Sequence, residues 1–175
     1  NVEVRSQLAC SARRLPASEG LPIVRAMLPQ DADAADIHLP LLLWWAIEEK
    51  AESDRDAVAA LFSDPKLWSH VVVRDHLLER VMRRYASAGT QNDLKVCAQL
   101  LNAAPDAATA KILLDGFEKA FEGRSLTALP EELLAAISKV GGGSPAPRLR
   151  RGGPEALTAS WKASAAGRSP RAGRL

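Results

Sequence analysis

The sequence contains few aromatic residues, only two cysteines and no long apolar segment. Aromatic side chains make up 5% of its 175 residues, and Cys10 and Cys97 lie far apart in the chain. A single disulfide between them is one alternative, but both fit positions in a helical core better, so we expect two separate, reduced and largely buried thiols. The most apolar stretch has nine residues, whereas a membrane-spanning helix needs about 20. We therefore expect no membrane span.

Signatures of β-strands and of common catalytic sites are also missing. No segment alternates apolar and polar residues between turn residues, as a half-buried strand does. The sequence contains no Cys-x-x-Cys-His for covalent haem, no Gly-x-Ser-x-Gly around a nucleophile and no phosphate-binding loop. Its three histidines, His38, His70 and His76, have no spacing that places two of them on one helix face. We predict no catalytic residue, no metal ligand and no cofactor in this segment.

Charge is distributed unevenly along the chain. Residues 146–175 carry seven basic side chains and one acidic side chain, which leaves sixteen basic and twenty acidic side chains in residues 1–145. A nucleic-acid-binding domain normally presents a basic surface. The mildly acidic body therefore predicts that nucleic acid is not a partner.

Residues 39–47 form the stretch around which the rest of the chain is organised, LPLLLWWAI. A helix that is apolar on every side must be covered on several sides. Trp44 and Trp45 are adjacent, so they point about 100° apart on a helix. One of them can enter the core of its own repeat while the other reaches a neighbouring helix.

Helical periodicity, proline starts and glycine stops divide the chain into eight helices. First helices are predicted to begin near residues 2, 39, 70 and 106, and second helices near residues 18, 54, 92 and 130. This spacing is typical of two-helix solenoid repeats. The predicted fold is all-α, a HEAT-like α-solenoid of antiparallel helix pairs in residues 1–140. A Gly/Pro/Arg linker is predicted for residues 141–153, and a truncated further repeat or a disordered basic tail for residues 154–175.

The periodicity also predicts which side chains face inward. In the first helix, the predicted apolar stripe consists of Val4, Leu8, Ala12 and Leu15. Elsewhere the predicted structural core consists of apolar residues from the longest stripes: Leu42, Leu43, Trp44, Trp45, Ile47, Leu77, Val81 and Phe117.

A cluster of arginines is the candidate surface for a protein partner. Arg80 and Arg84 share one helix face and Arg83 lies beside them, so the three can bind an acidic partner. The alternative is an ordinary solvated face near a helix C-terminus, where cations are favoured. Trp68 lies at a helix junction, where it is either a plug between repeats or a second partner-binding residue.

Three segments resemble a known family: residues 4–10 (VRSQLAC), 21–25 (LPIVR) and above all 40–48 (PLLLWWAIE). They are similar to the helical-repeat segment of large planctomycete-type, multidomain haem-binding proteins related to membrane-bound dehydrogenases. The resemblance covers roughly residues 2–140, and more loosely residues 148–163. It implies an extracytoplasmic protein in which a dehydrogenase-like β-propeller precedes the repeats and a c-type cytochrome domain follows them. No functional residue carries over, because the haem and propeller motifs of the family are absent from this sequence.

The resemblance and the repeats together predict a non-catalytic, monomeric scaffold segment. It would position redox domains or bind a protein partner within a larger protein. Because the chain begins without methionine and inside a predicted helix, we expect a fragment. The alternative function is a self-contained helical HEAT-like enzyme or nucleic-acid-processing domain, which would need a concave basic groove with a carboxylate.

Overall fold

Helices joined by short turns make up the described part of the chain. The structure is a computed structural model that describes residues 1–122 and 129–141. Its α-helices are α1 (Val2–Arg14), α2 (Ala17–Met27), α3 (Leu39–Glu48), α4 (Arg55–Leu61), α5 (Leu78–Ala88), α6 (Gln91–Ala103), α7 (Ala107–Ala120) and α8 (Glu131–Gly141). These residues contain no β-strand, so the all-α prediction is confirmed. Apart from Gly141, the predicted linker 141–153 and the segment 154–175 lie outside the described residues.

Local capping signals explain where several helices begin and end. The Thr90 side chain accepts a hydrogen bond from the backbone N–H of Asp93 at 3.2 Å and so caps α6. Asp106 does the same for α7 through the N–H of Thr109 at 2.7 Å. Gly89 ends α5 in the left-handed region, with φ at 66°, a conformation that glycine adopts at little cost. These ends lie where the sequence predicts them.

The helices contact one another in two alternating series. Along the chain, the odd-numbered helices pack in succession, α1 on α3, α3 on α5 and α5 on α7. The even-numbered helices do the same, α2 on α4, α4 on α6 and α6 on α8. Within consecutive pairs, α1 packs on α2, α5 on α6 and α7 on α8. From α1 to α6, each helix thus packs on the helix two positions later in the chain, and most neighbouring helices also contact each other.

Helix α3 is covered on several sides, as its composition requires. It contacts α1, α2, α5 and the turns that precede α3 and α5, and Leu43, Trp44 and Ile47 are buried in these contacts. Trp45, predicted as a core residue, is instead 39% exposed, and Leu42 is half-buried. Both side chains lie beside the last turn of α1, where they border an open groove at the surface. The other predicted core residues are buried: Leu77, Val81 and Phe117.

The inward face of α1 matches the predicted stripe only in part. Ala12 is fully buried as predicted, but Val4 and Leu8 are 56% and 41% exposed, and Ala9 is buried instead. A Cβ atom added to Gly20 of α2 would lie 2.4 Å from the carbonyl oxygen of Ala12. The two backbones therefore nearly touch, and only small side chains fit between them. This close approach turns the larger apolar residues of α1 outward.

A second close approach occurs between α5 and α7. A Cβ atom at Gly116 would lie 2.4 Å from the carbonyl oxygen of Glu79. Since real Cβ atoms do not come this close to a backbone oxygen, any side chain at position 116 would push the two helices apart. The absence of a side chain at Gly116 therefore fixes the separation of α5 and α7.

The aspartate-rich segment before α3 is a junction between helices. Asp31 accepts the backbone N–H of Val71 at 2.8 Å, just before a π-helical turn (Val73–Leu77) that leads into α5. The buried carboxylate of Asp33 binds Arg5 of α1, with 2.7 Å between Nε and Oδ2. Asp36 caps α3 by accepting the N–H of its first residue at 2.8 Å. One short segment therefore links three helical elements.

A buried ion pair joins α4 to α6. The Nε atom of Arg55 lies 2.6 Å from Oδ1 of Asp93, whose side chain is almost completely buried. Burial alone would raise the pKa of Asp93, but hydrogen bonds from Thr90 and Arg55 outweigh it and hold the pKa below its usual value. The folded state therefore favours the ionised carboxylate.

The adjacent tryptophans give a matched test of the role of α3. Replacing the buried Trp44 with alanine should lower the free energy of unfolding by about 3–5 kcal/mol, the usual cost of emptying a large core site. Replacing Trp45 with alanine should cost less, about 1–2 kcal/mol, because a larger part of its side chain already lies in water. Urea denaturation of both variants measures the difference. Equal losses for the two variants would contradict the assignment of one core and one surface tryptophan.

The Asp93 ion pair should make the stability of the protein depend on pH in the acidic range. Because its pKa is lowered in the folded state, its stabilisation is present above the ordinary value of 3.8 and is lost as the pH falls through the folded pKa. We expect Asp93→Asn to destabilise the protein at neutral pH. Well below pH 3.8, the difference in the free energy of unfolding between the variant and the wild type should become smaller. Denaturant unfolding measures this difference. A gap that stays constant with pH would show that the ionised carboxylate does not stabilise the fold.

Candidate functional site

The arginines predicted as a partner surface are mostly neutralised within the chain. Arg83 lies 3.6 Å from Glu79 on the preceding turn of α5. Arg84 lies 3.6 Å from Glu52, at the start of the turn that leads into α4. Arg80 is half-buried on the same helix. Two of the three cations thus face carboxylates of the chain itself, which favours a solvated helix face over a dedicated basic site.

Trp68, the other predicted partner-binding residue, is not at the surface. Its side chain is almost completely buried, and its indole Nε1 donates a hydrogen bond to the carbonyl oxygen of Phe62 at 2.9 Å. Burial is favourable here because the polar N–H has found a partner. The structure therefore corrects the partner-binding assignment, and Trp68 packs in the junction between α4 and α5.

A surface groove lies between α1 and α3. We call it the α1–α3 groove, with a volume of about 800 Å³. Cys10, Arg13 and Arg14 line it from α1, and Leu42 and Trp45 line it from α3. The turn between α3 and α4 completes the lining with Lys50, Ser53 and Asp54.

Lys50 is the buried charged residue of this lining. It is 3% exposed, and its ammonium donates a hydrogen bond to the carbonyl oxygen of Arg13 at 2.9 Å, at the C-terminal end of α1. Its aliphatic part passes over Gly20, since a Cβ atom there would lie 2.9 Å from Cε of Lys50. Burial lowers the pKa of Lys50, because it removes the ammonium from water. Lys50 thus holds a charge beneath the groove at a cost in desolvation.

Trp45 forms an aromatic surface at the edge of the groove. The guanidinium of Arg13 lies 5.9 Å from the centroid of its ring, close enough for a cation–π contact. The same guanidinium lies 3.3 Å from Glu49. Both side chains of this ion pair are about half exposed, so the pair contributes little to stability and can rearrange easily.

The two cysteines differ in environment. Cys10 is half-buried and lines the α1–α3 groove, whereas Cys97 is buried in α6. Burial raises the pKa of the Cys97 thiol to about 12. Neither forms a disulfide. The expectation of two separate, free and largely buried thiols is therefore confirmed, with Cys97 buried completely and Cys10 in part.

A smaller groove of about 380 Å³ lies between α4 and α6, and half of the residues that line it are alanine or serine. In the part of the chain that the structure describes, no three potential metal ligands come together. None of the described helices is both long enough and apolar enough to cross a membrane.

Sequence reasoning missed the α1–α3 groove, although one signal for it was present. Lys50 follows Leu43 and Ile47 at helical spacing, which places it on the buried side of α3. A basic residue that continues a buried stripe indicates an enclosed ammonium. The contributions of Cys10, Arg13 and Arg14 depend on how α1 packs on α3, and no local pattern encodes that.

Comparison of the chain with protein-family models, with curated proteins and with solved structures found no match.

The environments of the cysteines predict two very different thiol reactivities. Because the thiolate is the reactive species, a buried thiol with a raised pKa reacts slowly. Ellman's reagent should label one thiol quickly in the native protein and the second only after unfolding. Cys10→Ser should abolish the fast phase, and Cys97→Ser should leave it unchanged. Absence of free thiols in denaturant without a reductant would instead reveal a disulfide.

Proposed function

We propose that the chain is a HEAT-like α-solenoid segment that acts as a non-catalytic scaffold for protein domains. The main support for this proposal is the order in which the helices pack. Odd-numbered helices pack on odd-numbered helices along the chain, and even-numbered helices pack on even-numbered ones. In a solenoid each repeat buries its apolar face against the next repeat. The order of contacts among the described helices is the order expected of such an array, and it supports the proposal.

Polar contacts at the repeat distance support the same proposal. Arg55 and Asp93 are 38 residues apart, Arg25 and Asp64 are 39 apart, and Asp31 bonds to the backbone 40 residues later. Two-helix repeats have about this length. The first two contacts each join one predicted repeat to the next, and the third joins the end of the first repeat to the start of the third.

The α1–α3 groove gives the scaffold a surface for a partner. It combines an accessible aromatic ring, Trp45, with exposed cations and a concave shape. Aromatic and arginine residues are the side chains most enriched at the energetic centres of protein interfaces. With the family resemblance, this supports a segment that docks redox domains of a larger extracytoplasmic protein, a β-propeller or a c-type cytochrome domain.

Site-specific photocrosslinking tests this function. A benzophenone amino acid would replace Trp45 in the groove, with Glu118 on the exposed face of α7 as the matched control position. We expect adducts with a propeller or cytochrome domain, identified by mass spectrometry, at position 45 and not at position 118. Equal yields at the two positions would contradict docking at the groove. Adducts with nucleic acid at position 45 would favour the alternative function, a nucleic-acid-processing domain.

A further inference from the structure

The ammonium group of Lys50 is only partly satisfied by the protein. A lysine ammonium carries three N–H donors, and one of them bonds to the carbonyl oxygen of Arg13. Among the described residues, no carboxylate oxygen lies within 4.0 Å of its nitrogen. Glu49 and Asp54 act on this charge only from beyond 4.0 Å, and a buried charge without a contacting counter-ion is unfavourable. Since Lys50 lines the α1–α3 groove, a bound anion could supply both the missing hydrogen-bond acceptors and a contacting negative charge.

The other charges of the groove leave a second cation free to bind. Arg14 is exposed and has no ion pair with any described residue. Glu49 is engaged by Arg13 at 3.3 Å, and Asp54 accepts the hydroxyl hydrogen of Ser53 at 2.7 Å. The acidic residues of the lining are thus held by other partners, while Lys50 and Arg14 keep unused donors.

We propose that the α1–α3 groove binds a carboxylate of a peptide partner, with Lys50 and Arg14 donating hydrogen bonds to its oxygens. The apolar side chain next to that carboxylate packs on Trp45 and Leu42. This inference rests on the proposed scaffold function and names the chemistry of the partner at the same groove.

The composition of the groove favours a carboxylate over a phosphate group. Glu49 and Asp54 border the same space, and they would repel a doubly charged phosphate more than a singly charged carboxylate. The planar guanidinium of Arg14 matches the two oxygens of a carboxylate. The ring of Trp45 and the side chain of Leu42 supply apolar surface, which a peptide side chain can cover and a free inorganic anion cannot.

Titration of the ¹⁵N-labelled protein with small peptides tests the proposal by NMR. The probes are acetyl-Leu-Leu with a free C-terminal carboxylate, its carboxamide, and acetyl-Leu-Glu-Leu carboxamide. We expect the free acid to shift the indole signal of Trp45 and neighbouring amides. The carboxamide of the dipeptide should bind about tenfold more weakly or worse, because hydrogen bonds to a charged group are lost. Binding of the glutamate peptide would assign the site to side-chain carboxylates, and its failure would assign it to chain termini.

Matched variants test the two cations separately. Lys50→Met keeps the length of the side chain but removes the ammonium, and Arg14→Gln removes the guanidinium. Each should weaken binding of the free acid about tenfold. Lys95→Met, on the exposed side of α6, should leave binding unchanged. If Lys50→Met does not fold, Arg14→Gln and the carboxamide comparison still decide the question.

Two results would overturn the proposal. The first is equal binding of the free acid and its carboxamide at the groove. That result would leave the groove as a peptide-binding surface but would rule out recognition of a carboxylate. The second is the absence of groove shifts with every probe. Neither result depends on the photocrosslinks at position 45, so failure of this inference and failure of the scaffold function can be told apart.

Discussion

The burial of α3 is the constraint on which the N-terminal half of the structure depends. This helix is apolar around most of its circumference, and each fully buried leucine or isoleucine, such as Leu43 or Ile47, contributes about 1.5–3 kcal/mol. That stabilisation is available only if neighbours cover several sides at once. Helices α1, α2 and α5 and two turns provide this cover. The one sector they leave open, around Trp45, is the edge of the α1–α3 groove.

The charged side chains contribute more to the alignment of neighbouring helices than to the stability of the fold. An exposed pair such as Arg25 and Asp64 contributes little free energy. The buried carboxylates of Asp33 and Asp93 are different, because an arrangement that separates either one from its arginine leaves a charge in the interior. Such pairs exclude misaligned packings of the apolar faces, which by themselves would tolerate sliding. Apolar burial supplies the stabilisation and the ion pairs supply the alignment.

Much of the helical organisation could be predicted from the sequence, because helix ends depend on nearby residues. The cap at Thr90 and the stop at Gly89 involve atoms only a few positions away. The inward face of α1 could not be predicted in this way. Leu8 points outward because of a backbone contact with a different helix. The α1–α3 groove could not be predicted for the same reason. Trp45 and Lys50 border a groove because α1 packs beside α3, and the apolar periodicity of α3 does not specify that packing.

The contact at Gly116 has a consequence for how the molecule deforms. Where α5 and α7 meet, backbone lies against backbone with no side chain between them. Side chains can change rotamer and so act as a compliant layer, but two peptide backbones in contact cannot be compressed. The α5–α7 pair is therefore stiff. Among the described odd-numbered helices, bending is therefore resisted most strongly where α5 meets α7.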